Sequence, residues 1–433
     1  MTDLRIGLAS VCTTPEEPIW MHGYAGKIRQ QPFGGKLHDL HAKAMAFEDA
    51  AGSQSVLITV DLCVLRKTEA DRVAARIAER TGLSSDCVIV NLSHTHSGPM
   101  IGVVSDQRYP VPQDVLERIG VYTDRLVERL AEAAAAALAN LRPAQLSWGR
   151  GRVGFVRNRR RFDDEGHYCG MGPNPDGFTD PRVTALRVDD PDGAPRALAF
   201  SLACHAVTFG PKNLKLSGDY PGFAQEMLEA RQPGLQAMFI QGCGADANPE
   251  PRSVPDQLDW AQRQGQELAD ETERVADRDL EPIRGPLRTA HEWLDLPLRS
   301  MSRQELEAKA AGPEYAAHNA KRLLEQLDRG ETPATTYRTP VVVWQFGEDL
   351  TLVALPGETV SGYIQLIEEA LGPERLWVAG YSNEVFGYLP TASIVAEGGY
   401  EARGLVREVG VFAAEAEDVT VDAVRRLARE IGR

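Results

Sequence analysis

The chain repeats one arrangement five times: a short apolar run that stops on a polar side chain able to bind a metal or carry a proton. CVIVNLSHTH ends in His94 and His96, and ALAFSLACH ends in His205. AMFIQGCGAD reaches Asp246, LTLVALPGE reaches Glu358, and LWVAGYSNE reaches Asn383 and Glu384. Runs this short and this rich in β-branched residues read as buried strands of an α/β sheet. Ligands of such sheets bind outside the carboxyl ends of the strands. The expectation is therefore an α/β fold, a large mixed β-sheet flanked by helices, with imidazoles and carboxylates aimed at one edge of that sheet. That pattern belongs to an enzyme, and to a metal-dependent one.

Between these runs the remaining periodicities fill in the frame. LRIGLASV reads as a strand, and KAMAFED and SVLITVDLCVL as an antiparallel pair. TEADRVAARIAER is an amphipathic helix, and residues 113–141 form a second helix whose Ala-rich end suits close packing. LSWGRGRVGFVRNRRR is extended, and the Gly- and Pro-bearing stretch 163–180 reads as a loop. RVTALRVDD and RALAFSLACH form a hairpin. Further helices follow at PGFAQEMLEAR, VPDQLDWAQRQGQELADETERVA, GYIQLIEEAL and residues 416–431, with strands at residues 286–299 and at VVVWQF. Residues 302–329 read as one long polar helix, a candidate insertion. Without repeats or a Ser/Gly linker, residues 1–433 are expected to form one catalytic domain.

Composition narrows the function. With 47 basic against 62 acidic residues the net charge is −15, which excludes a nucleic-acid or anionic-membrane surface. A small-molecule substrate is expected, and a homo-oligomer is compatible with the sequence. No run approaches a membrane span. The opening MTDLRIGLAS lacks a charged then apolar leader, so a cytoplasmic location is expected. The six cysteines show no CxxC spacing, which argues against disulfides and against a cysteine zinc site.

The strongest local signal is NLSHTHSGP. On a strand, residues two apart share a face, so His94 and His96 can serve one site; the competing account is two histidines bonded to backbone. His205 closes another apolar run, where an imidazole costs free energy unless bonded or metallated. Glu358 is either a ligand or a charge favoured by the helix that begins after it. Two histidines and a carboxylate with one open position make a catalytic zinc set, whose chemistry is a polarised carbonyl and an acidified water. Asp246, Asp219 and Asp61 either orient a ligand histidine or simply form turns and strand ends. The run Arg157–Arg161 reads as a solvated face, unless one arginine holds a substrate oxygen. By pattern alone, Tyr388 and Tyr400 are ordinary core residues.

Taken together and in order, NLSHTHSGP, Cys204-His205, LPGE, GYLPT and GGYE resemble the neutral/alkaline non-lysosomal ceramidase family, and RIGLASVCTTP…GYAGK with ITVDL resembles that family's opening. The resemblance implies a zinc-dependent amidase. It puts the Zn2+ ligands on His94, His205, Glu358 and Tyr388, His96 beside the attacking water or the substrate, Arg159 near the substrate carbonyl, and Tyr400 as a second active-site tyrosine. Where the family has GDxSPN, with a catalytic serine, this chain has GADANP, and Asn248 stands in the serine's place. Nothing after GGYE answers to the family's C-terminal immunoglobulin-like domain. The expected function is hydrolysis of an amide-like bond in a molecule smaller or more polar than ceramide. His96 acts as acid/base or oxyanion donor, and Asn248 donates a hydrogen bond. The alternatives are a glycosidic or ester bond, a lyase or isomerase step on the same scaffold, or a metal-binding protein without catalysis.

Overall fold

The computed structural model describes residues 4–24, 29–102, 111–278, 280–312, 314–403 and 410–433. The first segment contains β1 (Arg5–Cys12), β2 (His41–Glu48), β3 (Gln54–Val60), α1 (Lys67–Thr81), β4 (Val88–Leu92), α2 (Gln113–Ala139) and β5 (Arg142–Pro143). Its sheet runs β4-β3-β2-β1-β5, antiparallel except for the parallel pair β3–β4. The second segment contains β6 (Gln145–Arg152), β7 (Val156–Phe162), β8 (Tyr168–Asn174), β9 (Arg182–Asp189) and β10 (Pro195–Leu202). It continues through α3 (Asp219–Arg231), β11 (Gln236–Gln241), β12 (Ala247–Pro249), α4 (Gln257–Ala276) and β13 (Glu281–Ile283). Two sheets result, β11-β10-β9-β6-β13 and the small β12-β7-β8.

The third segment opens with β14 (Leu287–Pro297), α5 (Arg303–Ala310), α6 (Glu314–Asp328), β15 (Thr336–Phe346) and β16 (Leu350–Ala354). It ends with β17 (Glu358–Thr359), α7 (Gly362–Leu371), β18 (Leu376–Ala379), β19 (Tyr388–Leu389), α8 (Ala392–Glu397) and α9 (Ala416–Glu430). A sheet β14-β15-β16-β18 and a parallel two-stranded β17–β19 complete the architecture. No described helix is long and apolar enough to cross a membrane. All six cysteines are free thiols.

The expected single sheet is therefore several. Strands that are apolar on both faces explain the difference, because each face packs against a different layer. In β3, Leu57 joins Met45, Trp148, Met238 and Trp344 in a core shared by three sheets. Its neighbours Val56, Ile58 and Val60 face the helices instead. In β15, Val342 and Trp344 enter the three-sheet core while Val341 and Val343 face outward to the helical layer. Continuous apolar runs describe this sandwich of sheets as well as they describe one wide sheet, so run length alone did not separate the two.

Two smaller expectations are corrected. The stretch 163–180 is not all loop: β8 occupies its middle and pairs with β7. The long helix expected over residues 302–329 is two helices. Gly312-Pro313 stands between α5 and α6, and proline cannot donate the hydrogen bond that a continuous helix needs. The reading of the Ala-rich helix holds. Its small side chains let α2 approach β1 so closely that a Cβ on Gly7 would lie 1.8 Å from the Ala137 carbonyl oxygen.

That contact gives a stability test remote from the polar strand ends. Gly7→Ala forces a Cβ against the α2 backbone and should destabilise the fold by about 1–3 kcal/mol. Denaturant unfolding checks it, and an unchanged midpoint would mean that α2 is not seated as described.

Candidate metal centre

The carboxyl ends of three parallel strand pairs meet at one place. Asn91, the one strongly polar residue inside β4, fastens them. Its Nδ2 donates to the carbonyl oxygens of Gly380 (2.8 Å) and Gln241 (3.2 Å), and its Oδ1 accepts from the Gln241 N–H (2.7 Å). The ends of β4, β11 and β18 are thereby held together, and the chain beyond each is aimed at a shared space. β4 stops at Leu92, and His94 takes a left-handed backbone with φ 56°. The two histidines of HTH thus converge through a bend, not through strand alternation. Their Nε2 atoms lie 3.1 Å apart.

Backbone carbonyls orient both principal imidazoles. His94 Nδ1–H donates to the Cys63 carbonyl at 2.7 Å, and His205 Nδ1–H donates to the Gly244 carbonyl at 2.8 Å. With Nδ1 committed, each ring turns an Nε2 lone pair inward. Arg159, which can only donate, lies 3.2 Å from His205 Nε2 and confirms that this nitrogen accepts. Glu358 Oε2 sits 3.3 Å from His94 Nε2 and 3.4 Å from His205 Nε2, and among the described residues it has no hydrogen-bond partner. All three residues are buried, and their ligand atoms lie within 4.8 Å of one another.

Acceptors turned toward one another repel, and a buried carboxylate oxygen left unpaired costs free energy. A cation resolves both problems, so this cluster could hold a metal ion. A proton competes for the same spot. Burial opposes charge on His94, yet Cys63 and Glu358 outweigh it and raise its pKa to about 10. Burial and Arg159 lower that of His205 to about 4. Glu358 is held well below the usual carboxylate range: burial pushes it up, but His94 and His205 prevail. A second grouping, Cys63 with His94 and His96, is also geometrically close. It draws on the Cys63 thiol, 3.8 Å from a His94 Nδ1 already committed to a carbonyl, so the Glu358 cluster is the better cradle.

Around the cluster stand the other residues singled out from the sequence. Tyr388 faces Glu358 directly in the β17–β19 pair, and its hydroxyl accepts from Arg159 Nη2 at 3.1 Å. Tyr400 packs edge-on against Tyr388, with ring centroids 5.4 Å apart. His96 is half-buried in the same place, and its buried Nδ1 has no hydrogen-bond partner among the described residues. The Asn248 amide lies between Arg159 and Arg252. With its oxygen turned to Arg252 it accepts from Nε at 2.9 Å and Nη2 at 3.3 Å, better than the single 3.5 Å contact with Arg159.

Other candidates fall outside the cluster. Asp246 touches neither imidazole. It accepts from the Ser361 N–H (2.7 Å) and hydroxyl (2.8 Å), bracing the chain after Glu358. Asp219 accepts from backbone N–H groups of Thr208, Phe209 and Tyr220, and Asp61 from that of His41. The orienting role open to aspartates belongs to the carbonyls of Cys63 and Gly244. Asn383 ties down β4 through Val90 N–H. The arginine run is no solvated face: only Arg157 and Arg161 are exposed, while Arg159 and Arg160 are buried on Glu401 at 2.8 and 2.6 Å. Glu401 and Asn91 escaped the sequence reading. A polar residue inside CVIVNLS was the available signal for Asn91, and Glu401 carried none beyond following Tyr400.

Comparison with known proteins places this geometry. The sequence profile described as neutral/alkaline non-lysosomal ceramidase, N-terminal, matches residues 5–243. The chain belongs to this family. Neutral ceramidase A of Dictyostelium discoideum is 24% identical over 233 residues, 52% of this chain and 32% of the relative. Neutral ceramidase B of the same organism is 24% identical over 246 residues, covering 53% and 33%. The matched part is about a third of these relatives' length. The neutral ceramidase of Pseudomonas aeruginosa shares the fold with a TM-score of 0.74 at 21% identity, over 99% of this chain and 74% of that one. A ceramidase solved with C2 gives 0.75 at 19%, over 99% and 76%.

Two tests follow from the buried groups. Gly244→Ala would press a Cβ to 2.3 Å from the Cys204 backbone nitrogen, displacing the carbonyl that orients His205. It should weaken metal binding by about 10–100-fold, measured by competition with a chelator. Glu384 lies outside the cluster, accepting from Tyr337 and from Thr339 at 3.2 Å. Burial raises its pKa to about 7, against the pull of Tyr337. Folded protein therefore binds a proton that unfolded chain has lost above about pH 4.3, and stability falls as pH rises from there through 7. Glu384→Gln should remove that slope, adding at most about 4 kcal/mol at pH 8 and little at pH 4. Parallel pH slopes for the two proteins in thermal unfolding would refute it.

Proposed function

We propose that this chain is a zinc-dependent hydrolase of an amide-like bond in a molecule smaller or more polar than ceramide. The observation that carries the proposal is the partnerless Glu358 Oε2 facing two imidazole nitrogens whose lone pairs are turned inward. Two histidines and one carboxylate without cysteine suit a catalytic zinc with an open position better than a structural one. Tyr388, opposite Glu358 in the strand pair, is the proposed fourth ligand. A divalent ion held there would polarise a carbonyl and lower the pKa of water.

The rest of the work falls to the chain's own groups. Arg159 Nη1 and the Asn248 amide, turned as above, present N–H donors side by side. That arrangement stabilises negative charge growing on a carbonyl oxygen. Burial first, then His94 and His205, hold His96 well below its ordinary pKa. A neutral His96 with an unpartnered Nδ1 can take a proton and return it to the leaving nitrogen. Tyr400, beside Tyr388 and 5.6 Å from the Arg159 guanidinium, shapes the pocket wall and positions substrate.

His94→Ala and Glu358→Gln should each lose the metal and the turnover of N-acyl amines, with elemental analysis and product release as readouts. Either variant retaining one ion per chain would overturn the ligand assignment. Cleavage of esters or glycosides but not amides would change the bond while leaving the metal centre in place.

A further inference from the structure

Of the four arginines gathered at this centre, three are accounted for. Arg159 and Arg160 share Glu401, and Arg160 also holds Glu397 at 2.9 Å. Arg29 is fully buried and spends its donors on carbonyl oxygens, of His96 at 2.7 Å, of His22 and Pro211 at 3.3 Å and of Gly210 at 3.4 Å. Arg252 differs. It is half-buried, and among the described residues no carboxylate lies within ion-pair distance of its guanidinium. Among the described residues its one hydrogen-bond partner is the Asn248 amide oxygen, which uses Nε and Nη2 and leaves Nη1 over.

The position of Arg252 ties it to the reaction. Asn248 lies between it and Arg159, and Arg159 touches His205 Nε2. Tyr24, close enough to act on Arg252 electrostatically, stands with its ring edge-on to His96, centroids 5.0 Å apart. Burial lowers the pKa of Arg252; Tyr24 and Glu250 oppose that shift and Arg159 adds to it. Glu250 is exposed and does not reach it. A partly desolvated guanidinium with no counter-ion is costly unless something brings one. The planar fork of arginine fits a carboxylate, and one unmatched charge fits a monoanion better than a dianion.

We infer that the substrate is an amide carrying a carboxylate near the scissile bond, and that Arg252 binds that carboxylate while Asn248 and Arg159 face the carbonyl. The inference rests on the hydrolase reading above. Water supplies hydroxyl to the acyl carbon and a proton to the amine nitrogen as the C–N bond breaks. An N-acylglycine, for example, would yield a carboxylic acid and glycine. This accords with a site set in a chain of net charge −15: the anion is drawn by one local cation, not by the protein as a whole.

The experiment uses matched pairs. N-hexanoylglycine is compared with N-hexanoylethanolamine, and N-hexylsuccinamate with N-hexylbutanamide, so that the carboxylate is tried on the amine side and on the acyl side. In at least one pair the metal-loaded full chain should favour the anion in kcat/KM by about tenfold or more. Arg252→Met should bring the ratio to about one, and Arg252→Lys should restore part of it. If Arg252 merely braced Asn248, Arg252→Met would slow both members of a pair alike, and that result would overturn the inference. Calorimetric binding of the same compounds to chelator-treated protein separates the two readings. Selective, Arg252-dependent binding without any amide turnover would sink the hydrolase and spare the anion site. Turnover with no preference for the anion, or with a preference that survives Arg252→Met, would do the reverse.

Discussion

Two hydrogen bonds from ring Nδ1 atoms to backbone carbonyls decide what this molecule can do. They fix the tautomers of His94 and His205 and so turn two Nε2 lone pairs toward Glu358 Oε2. Side-chain carboxylates could have oriented the rings, but they would have added negative charge beside Glu358. Neutral carbonyls orient without charging, and they come from segments already fixed by the fold. The Gly244 carbonyl is in place because β11 runs parallel to β10 and the turn after it crosses the Cys204 backbone at a distance only glycine allows. The ligand geometry is thus a consequence of strand packing, with little left to side-chain freedom.

The same logic explains why the site lies where several sheets meet. Each of the three large sheets contains one parallel pair, β3–β4, β10–β11 or β16–β18, and parallel pairing puts two carboxyl ends side by side. Asn91 then ties three of those ends with one carboxamide, using both donor and acceptor. Its burial is affordable only because all of these bonds are made. Tyr381, whose ring lies 4.6 Å from that of His94, fills the space behind the histidines with a hydroxyl that has no partner among the described residues.

Much of this was legible in the residues. The positions of His94, His205 and Glu358 were marked by where apolar runs stop, because a polar residue closing a buried run is visible in local sequence. What could not be read was anything set by the third dimension. An apolar run does not say which sheet it joins, so several sheets looked like one. The HTH spacing suggested a strand face, but His94 leaves the strand through a left-handed residue. The arginine run looked solvated because charge runs usually are, and Glu401, which makes burial possible for Arg159 and Arg160, lies more than two hundred positions away. Asp246 looked like a partner for histidine because it sits at a strand end, yet it turns to Ser361.

Glu401 also resolves a conflict within the site. Arg159 donates to His205 Nε2 and to Tyr388, and a bare guanidinium beside the ligand cluster would repel any cation entering it. Glu358 could neutralise that arginine, but only by giving up the oxygen that faces the two imidazoles. Glu401, fully buried, accepts from Arg159 Nε and Arg160 Nη1 through separate oxygens and takes both charges onto itself. Glu397, on Arg160, supplies the second negative charge, and Arg159 keeps its Nη1 turned toward the ligand cluster. Glu358 stays free for the ion. Two carboxylates therefore divide one electrostatic task, and the fold keeps them apart by placing Glu358 on β17 and Glu401 just beyond α8, so that neither can do the other's work.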